Sequence, residues 1–341
     1  MLTILLQLAG GTAFLYYGAD FLVKGGVSIA TRFGVSALVI GLTLVAFATS
    51  APELVVSVQA ALAGSSDISI GNVIGSNICN IALILGLSAV IAPLSVHSKV
   101  LRFDLPVMTA VTLAMAAIGL LLGGFNRLTG AVFFAGLLAY IAWNIRLEKR
   151  DGSGDAETEI REEVENSRKY PLWLAAAFVI GGAAALVLGG KFIVDGAVGL
   201  GRMAHLSEAV IGLTIVAVGT SLPELATSLV AAARGEQDIA VGNVVGSNLF
   251  NMLGIMGIAP MIRPVSAAGI TPVDWGMLLV STLLLVPFMH TGRKVVRREG
   301  AVLLALYCAY IAFLAVNAYW CGPPSRVTGT SSWPSVDHLV S

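Results

Sequence analysis

The chain has 341 residues, 57% of them hydrophobic and 12% charged, with 20 basic and 20 acidic residues and a net charge of zero. A soluble globular domain is about 45–50% apolar and about 25% charged, so this composition excludes an ordinary water-soluble fold and points to a chain embedded in lipid. No basic patch with interleaved aromatics is present, which excludes nucleic acid as a partner.

Taken in chain order, hydropathy predicts ten membrane spans near residues 3–23, 36–63, 69–92, 103–123, 128–146, 171–190, 207–233, 240–261, 272–290 and 300–319. Met1–Tyr17 reads as the first transmembrane helix and lacks the basic leader of a cleavable signal. Gly18–Gly34, which carries Asp20, Lys24 and Arg32, reads as its extension. The runs Val107–Gly123, Leu172–Gly189 and Ala301–Ala318 each approach the ~20 residues that cross a hydrocarbon core. One long polar break, EKRDGSGDAETEIREEVENSRK at 148–169, follows the fifth span and reads as solvated, charged linker. The expected organisation is a first five-helix repeat at 1–147, a cytoplasmic charged linker at 148–170, a second, inverted repeat at 171–320 and a flexible tail at 321–341. Cys79, Cys308 and Cys321 fit neither a disulfide framework nor a zinc site. His97, His205, His290 and His338 are scattered and make no metal cluster.

The positive-inside rule orients the chain. With the N-terminus outside, 15 of the 20 basic residues fall on the cytoplasmic side and 5 outside. The expectation is therefore both termini outside and the linker inside.

A shift of 171 residues lays 36–86 over 207–257 with 28 of 51 positions identical and no gap. The shift spans five helices, an odd number, so the second copy is inverted relative to the first. Inverted repeats are the architecture of secondary transporters, whose site lies at the repeat interface near the midplane. The fold class expected is an all-α membrane protein with ten transmembrane helices in two inverted five-helix repeats.

The matched residues fall into two blocks. Ala46, Thr49, Ser50, Pro52 and Glu53 match Ala217, Thr220, Ser221, Pro223 and Glu224. Gly71, Asn72, Gly75, Ser76, Asn77 and Asn80 match Gly242, Asn243, Gly246, Ser247, Asn248 and Asn251. Pro52 and Pro223 each lie inside a span, lack an N–H and leave carbonyls near Ala48 and Thr49, or Gly219 and Thr220, without helical partners. Such bends must face protein or a wet cavity, and freed carbonyls suit a hard cation. A carboxylate at the centre of a membrane helix costs about 2.5–3.5 kcal/mol on insertion scales. A divalent cation between Glu53 and Glu224 would neutralise both. Ser76 and Asn80 share a helix face, as do Ser247 and Asn251, and supply neutral oxygens. The bland alternative is that Ser50-x-x-Glu53 is a capping box serving only the backbone. Duplication at mid-membrane depth weighs against it, since intramembrane ionisable residues are functional by default. Asp20 with Lys24, and Lys191 with Asp195, read as helical ion pairs at span ends. Asp67 and Asp238 read as turn formers.

The segments GLTLVAFATSAPEL and GNVIGSNICN, with GLTIVAVGTSLPEL and GNVVGSNLFN, resemble the two α-repeats of the cation/Ca²⁺ exchanger superfamily, above all its bacterial and archaeal sodium/calcium exchanger branch, the YrbG-like proteins included. The resemblance covers nearly the whole chain. It implies an antiporter exchanging Ca²⁺ for Na⁺ by alternating access, with inorganic cations as cargo, no cofactor and no enzymatic activity. It implies that Glu53 and Glu224 ligate Ca²⁺ together with the Thr49 and Thr220 carbonyls. One Na⁺ site would use the Ala46 carbonyl, Thr49, Ser50, Glu53 and Ser76. Its mirror would use the Ala217 carbonyl, Thr220, Ser221, Glu224 and Ser247, with Asn80 and Asn251 lining the middle. The first helix of each half would slide against a fixed core. Several relatives carry Asp where this chain has Asn251, a departure that weighs against potassium co-transport and against proton coupling through that position. The competing expectations are a H⁺-coupled divalent cation antiporter and, less favoured, a cation channel. Channels tend to use rings of charge from symmetric subunits, whereas this repeat is internal to one chain. The sequence does not fix an oligomeric state.

Overall fold

The computed structural model describes residues 2–33, 36–151, 170–203 and 217–320. In lipid every backbone polar group must be satisfied within its own segment, and the described chain is accordingly almost all helix. In chain order the helices are α1 (Leu2–Phe33), α2 (Ala37–Thr49), α3 (Ala51–Ala63), α4 (Ser66–Ile91), α5 (Val100–Leu122), α6 (Arg127–Asp151), α7 (Leu172–Met203), α8 (Ala217–Gly219), α9 (Leu222–Ala233), α10 (Gln237–Ile262), α11 (Pro272–His290) and α12 (Arg297–Trp320). Eight of them are long and apolar enough to cross a membrane, and α2 with α3 forms a ninth span bent by 48°. Of the expected span at 207–233, only α8 and α9 lie among the described residues. Residues 152–169 of the expected linker and the tail at 321–341 lie outside them.

One expected boundary moves. The first span, 3–23 with Gly18–Gly34 as its extension, is one unbroken helix to Phe33, as expected. The sixth span, expected to end at residue 190, continues as α7 to Met203. Lys191 and Asp195 lie inside it. They are four apart on one helix, so the helix carries them on a single face without stopping.

The inversion of the repeats is visible in how α1 meets α7. Gly11 lies against Gly189, Gly18 against Gly182, and Gly25 against Ala175. As one helix ascends in number the other descends, so the two run antiparallel along their length. A Cβ at Gly182 would stand 2.7 Å from the Gly18 carbonyl oxygen and from the Leu22 backbone nitrogen. Only glycine lets the backbones approach this closely, which is how membrane helices gain packing contacts without a hydrophobic drive between them.

Two short β-ladders tie the repeats together at opposite ends of α5. Strand β1 (Leu94–Ser95) pairs antiparallel with β4 (Lys294–Val295), and β2 (Gly124–Phe125) pairs antiparallel with β3 (Val265–Ser266). Each ladder takes one strand from each half. The centre of the molecule is formed by α4 and α10, whose most apolar stretches are 72% and 100% buried, against 17–39% for the other long helices. The outer helices present Leu, Val, Ile and Phe outward, as a lipid-facing rim requires.

Adding a methyl group at Gly182 should destabilise the protein by about 1–3 kcal/mol, because the atoms it meets are backbone and cannot rotate away. The check is the Tm of purified Gly182→Ala in detergent beside that of Gly181→Ala, where a Cβ meets nothing within 4 Å. The first should fall and the second should stay within a degree or two of the parent.

Candidate functional site

Both candidate glutamates sit at breaks made by the local sequence. In the first half Ser50 has φ −83° and ψ 7°, the sparsely populated region between helix and turn, and α3 starts anew at Ala51 with Pro52 in its first turn. In the second half Ser221 has φ −87° and ψ 6°, and α9 starts at Leu222 with Pro223 in its first turn. Proline is tolerated there because that N–H would be unpaired in any case. Glu53 and Glu224 thereby fall in the first turn of a half-helix, where the positive end of the helix dipole favours an anion.

Neither Ser50 nor Ser221 makes a side-chain cap on its own helix, so the capping-box reading does not hold. Each hydroxyl crosses to the other repeat. Ser50 Oγ donates to Glu224 Oε1 at 2.8 Å, and Ser221 Oγ donates to Glu53 Oε1 at 3.1 Å. The exchange brings the two breaks together at the repeat interface and gives each buried carboxylate a donor. Both glutamates are fully buried.

Carboxylate–donor bonds account for one oxygen of each glutamate only. Glu53 Oε2 and Glu224 Oε2 have no hydrogen-bond partner, and the same holds for Ser76 Oγ, Ser247 Oγ, Asn80 Oδ1 and Asn251 Oδ1. These atoms come from α3, α9, α4 and α10 in three symmetric pairs. Native interiors rarely leave buried polar atoms unpaired. A symmetric set of oxygens, two of them anionic, is what a hard cation with six to eight oxygen ligands requires. The helices are shaped for this. Cys79–Leu85 in α4 and Phe250–Ile255 in α10 are wide π-helical turns, and they hold Asn80 and Asn251. Such turns interrupt the regular ladder and recur at functional sites. The turn holding Asn80 packs against α9 and α10, and the turn holding Asn251 packs against α3 and α4. Each half of the cluster is thus completed by the other repeat.

The remaining expected residues are placed as follows. Thr49 is buried, and its single hydroxyl proton is shared between two acceptors, Asn243 Oδ1 at 3.1 Å and the Ala46 carbonyl at 3.2 Å. The Ala46 carbonyl also accepts the Ser50 N–H at 3.0 Å. Thr220 lies beside Glu53 without completing a hydrogen bond. Ala217 opens α8, next to the second break.

Four residues outside the expected ligand set also belong to the cluster. Asn72 Nδ2 donates to the Glu53 carbonyl at 3.2 Å and to Ser57 Oγ at 2.9 Å. Asn243 Nδ2 donates to the Glu224 carbonyl at 3.3 Å and to Ser228 Oγ at 3.0 Å. Their repetition at a spacing of 171 was the available signal, but only coordinates show that an amide of α4 or α10 reaches the main chain of α3 or α9. Asp20 is a further difference. It is buried, and bonds Lys24 at 2.7 Å as expected, but it also pairs with Arg234 at the end of α9. The pair is therefore part of a bridge between halves rather than the mark of a span end.

The family model described as "Sodium/calcium exchanger protein" matches residues 3–146 and 174–316. The chain is 36% identical to the putative antiporter CaxA of Alkalimonas amylolytica over 88% of its own length and 95% of that protein. It is 36% identical to the inner membrane protein YrbG of Escherichia coli K12 over 92% of its length and 96% of that protein. A solved structure of the sodium-calcium exchanger NCX_Mj, soaked with Na⁺ and without Ca²⁺, superposes with a TM-score of 0.79 at 33% identity, covering 92% of this chain and 99% of that one.

If the crossed bonds hold the site together, Ser50→Ala should couple energetically to Glu224→Gln and not to Glu53→Gln. A hydrogen bond to a charged group contributes about 1.5–3 kcal/mol. Double-mutant cycles on chemical denaturation should return an interaction above about 0.5 kcal/mol for the first pair and additivity for the second.

Proposed function

This chain belongs to the sodium/calcium exchanger protein family, and we propose that it exchanges Ca²⁺ for Na⁺ across the membrane as a secondary active antiporter, with Glu53 and Glu224 at the shared cation site. The observation that carries this reading is the reciprocal bonding of Ser50 to Glu224 and Ser221 to Glu53, with the second oxygen of each carboxylate and the side-chain oxygens of Ser76, Ser247, Asn80 and Asn251 buried without a hydrogen-bond partner.

The two carboxylates balance the charge of one Ca²⁺. The serine hydroxyls orient one oxygen of each carboxylate and leave the other for the ion. The Ser76 and Ser247 hydroxyls and the Asn80 and Asn251 amide oxygens supply neutral ligands, and Thr49, Thr220 and the Ala46 and Ala217 carbonyls flank the breaks. The same oxygens accept Na⁺, so the two ions compete for one set of ligands. Competition is the basis of coupling. A site stripped of cations would leave two carboxylates buried and uncompensated, a costly state inside a membrane. Reorientation is then favoured only when one cargo or the other is bound. Alternating access takes the form of α1 and α7 moving together against the core of α4 and α10. Asn251, being neutral, favours Na⁺ over H⁺ as the driving ion through that position.

Similarity to the inner membrane protein YrbG supports a plasma-membrane location, in a bacterium the inner membrane, and the distribution of basic residues supports both termini outside, with residues 148–170 as a cytoplasmic linker between repeats at 1–147 and 171–320.

Protein reconstituted in Na⁺-loaded vesicles should take up ⁴⁵Ca²⁺ faster than in Na⁺-free vesicles, and the uptake should saturate. An imposed pH gradient alone should drive little uptake. Glu53→Gln and Glu224→Gln should each reduce the Na⁺-driven flux to background while eluting as the parent does on size exclusion. Uptake that needs only the pH gradient would make the protein a H⁺-coupled antiporter instead.

A further inference from the structure

The two halves of the site are related by sequence but not bonded alike. On the Glu224 side four residues form a closed ring. Ser50 Oγ holds Glu224 Oε1 at 2.8 Å. Asn243 Nδ2 holds the carbonyl of the same glutamate at 3.3 Å, and Asn243 Oδ1 accepts the hydroxyl of Thr49, the residue before Ser50, at 3.1 Å. Ser228 Oγ accepts from the amide as well, at 3.0 Å. Asn243 is fully buried. Its orientation is fixed by its neighbours, because turning the amide over would set its oxygen against the Glu224 carbonyl.

On the Glu53 side the same ring stays open. Ser221 Oγ holds Glu53 Oε1 at 3.1 Å, and Asn72 Nδ2 holds the Glu53 carbonyl at 3.2 Å and Ser57 Oγ at 2.9 Å. Asn72 is only half-buried, and the hydroxyl of Thr220, the counterpart of Thr49, makes no hydrogen bond.

We infer that Asn243 is a positioning residue that locks the Glu224 half of the cation site, through its simultaneous bonds to Thr49 and to the Glu224 main chain, and that the Glu53 half lacks this lock. The two carboxylates are consequently unequal partners. Each glutamate is held at its main chain by an asparagine of its own repeat and at its side chain by a serine of the other. Only on the Glu224 side does that asparagine also reach the threonine of the opposite break, which leaves Glu53 the freer of the two to adjust as ions of different size enter. Groups that orient the ligands of a metal site are worth about 10- to 100-fold in affinity. The loss of Asn243 should therefore act on ion affinity before it acts on turnover.

This rests on the reading that Glu53 and Glu224 bind the transported cation, and the test separates the two. Na⁺-driven ⁴⁵Ca²⁺ uptake by the full chain in proteoliposomes is measured across Ca²⁺ concentrations for the parent, Asn243→Leu, Asn72→Leu, Ser228→Ala and Glu224→Gln. Leucine keeps the branched shape and heavy-atom count of the amide and removes its hydrogen bonds. Asn243→Leu is expected to raise the half-saturating Ca²⁺ concentration about tenfold or more, with the maximal rate within about twofold of the parent. Asn72→Leu should raise it about threefold or less, since it opens a ring that is already open. Ser228→Ala, which only loosens the amide, should shift it in the same direction by a few-fold, and carries the test if Asn243→Leu does not fold. Equal shifts for Asn243→Leu and Asn72→Leu would overturn the inference, as would a fall in maximal rate or Tm with the half-saturating concentration unchanged. In the Ser228→Ala arm, an unchanged half-saturating concentration would do the same. Ca²⁺ uptake retained by Glu224→Gln would instead refute the site reading itself.

Discussion

Two carboxylates buried in the middle of a lipid-embedded fold set the terms for everything around them. Among the described residues, no basic side chain is bonded to Glu53 or Glu224. Each receives instead a serine hydroxyl from the opposite repeat, in a first helical turn that favours negative charge. Those donors exist only if both helices break at the right residue. The breaks in turn need Pro52 and Pro223 one helical position after the residue that starts the new helix. The antiparallel packing of α1 on α7, the two β-ladders and the burial of α4 and α10 hold the breaks face to face.

Small residues do the complementary work. At Gly242 an added Cβ would stand 2.9 Å from the Leu38 carbonyl oxygen. The glycines of the GNxxGSN segment thus let α10 lie directly on the backbone of α2, so that Asn243, on the next position, reaches Thr49. Packing and chemistry are the same constraint here. A bulkier residue on that face would push away the amide that braces the glutamate.

Much of this was legible in the sequence. The duplication identified Glu53 and Glu224, and the prolines located the breaks. The spans were placed within a few residues wherever apolar runs ended cleanly, as at 272–290. What was not legible lies between the repeats. Ser50 and Glu53 are three residues apart, and the local pattern suggests that they serve one another, but the fold hands Ser50 to Glu224. Helical spacing shows which residues share a face, and not which face another helix presents to it. Arg234 reaching Asp20 is hidden for the same reason. A gap-free comparison at 171 also misses a second duplicated pair. Tyr140 donates to Asp104 at 2.9 Å and Tyr310 donates to Asp274 at 2.7 Å, each pair 36 residues apart but related by a shift of 170. One residue fewer in the second half, beyond the motif helices, is enough to break the register. The sixth span misled in the other direction: its apolar run ends at residue 190, and the helix continues past Lys191 and Asp195 to Met203.

The crossed serines carry an implication about ancestry. A single five-helix unit bearing the serine and glutamate of either half cannot build this site, because its hydroxyl points away from its own carboxylate. Two copies can, provided that one enters the membrane upside down. The bonds that now join residues 50 and 224, and 221 and 53, are those that two identical subunits would have made across a twofold axis. A progenitor of half this length would then have worked as an antiparallel dimer of one gene product, inserted in both orientations. Fusion through a charged linker would have fixed the orientations. It would also have released the halves to diverge, as the closed ring around Glu224 and the open one around Glu53 have done.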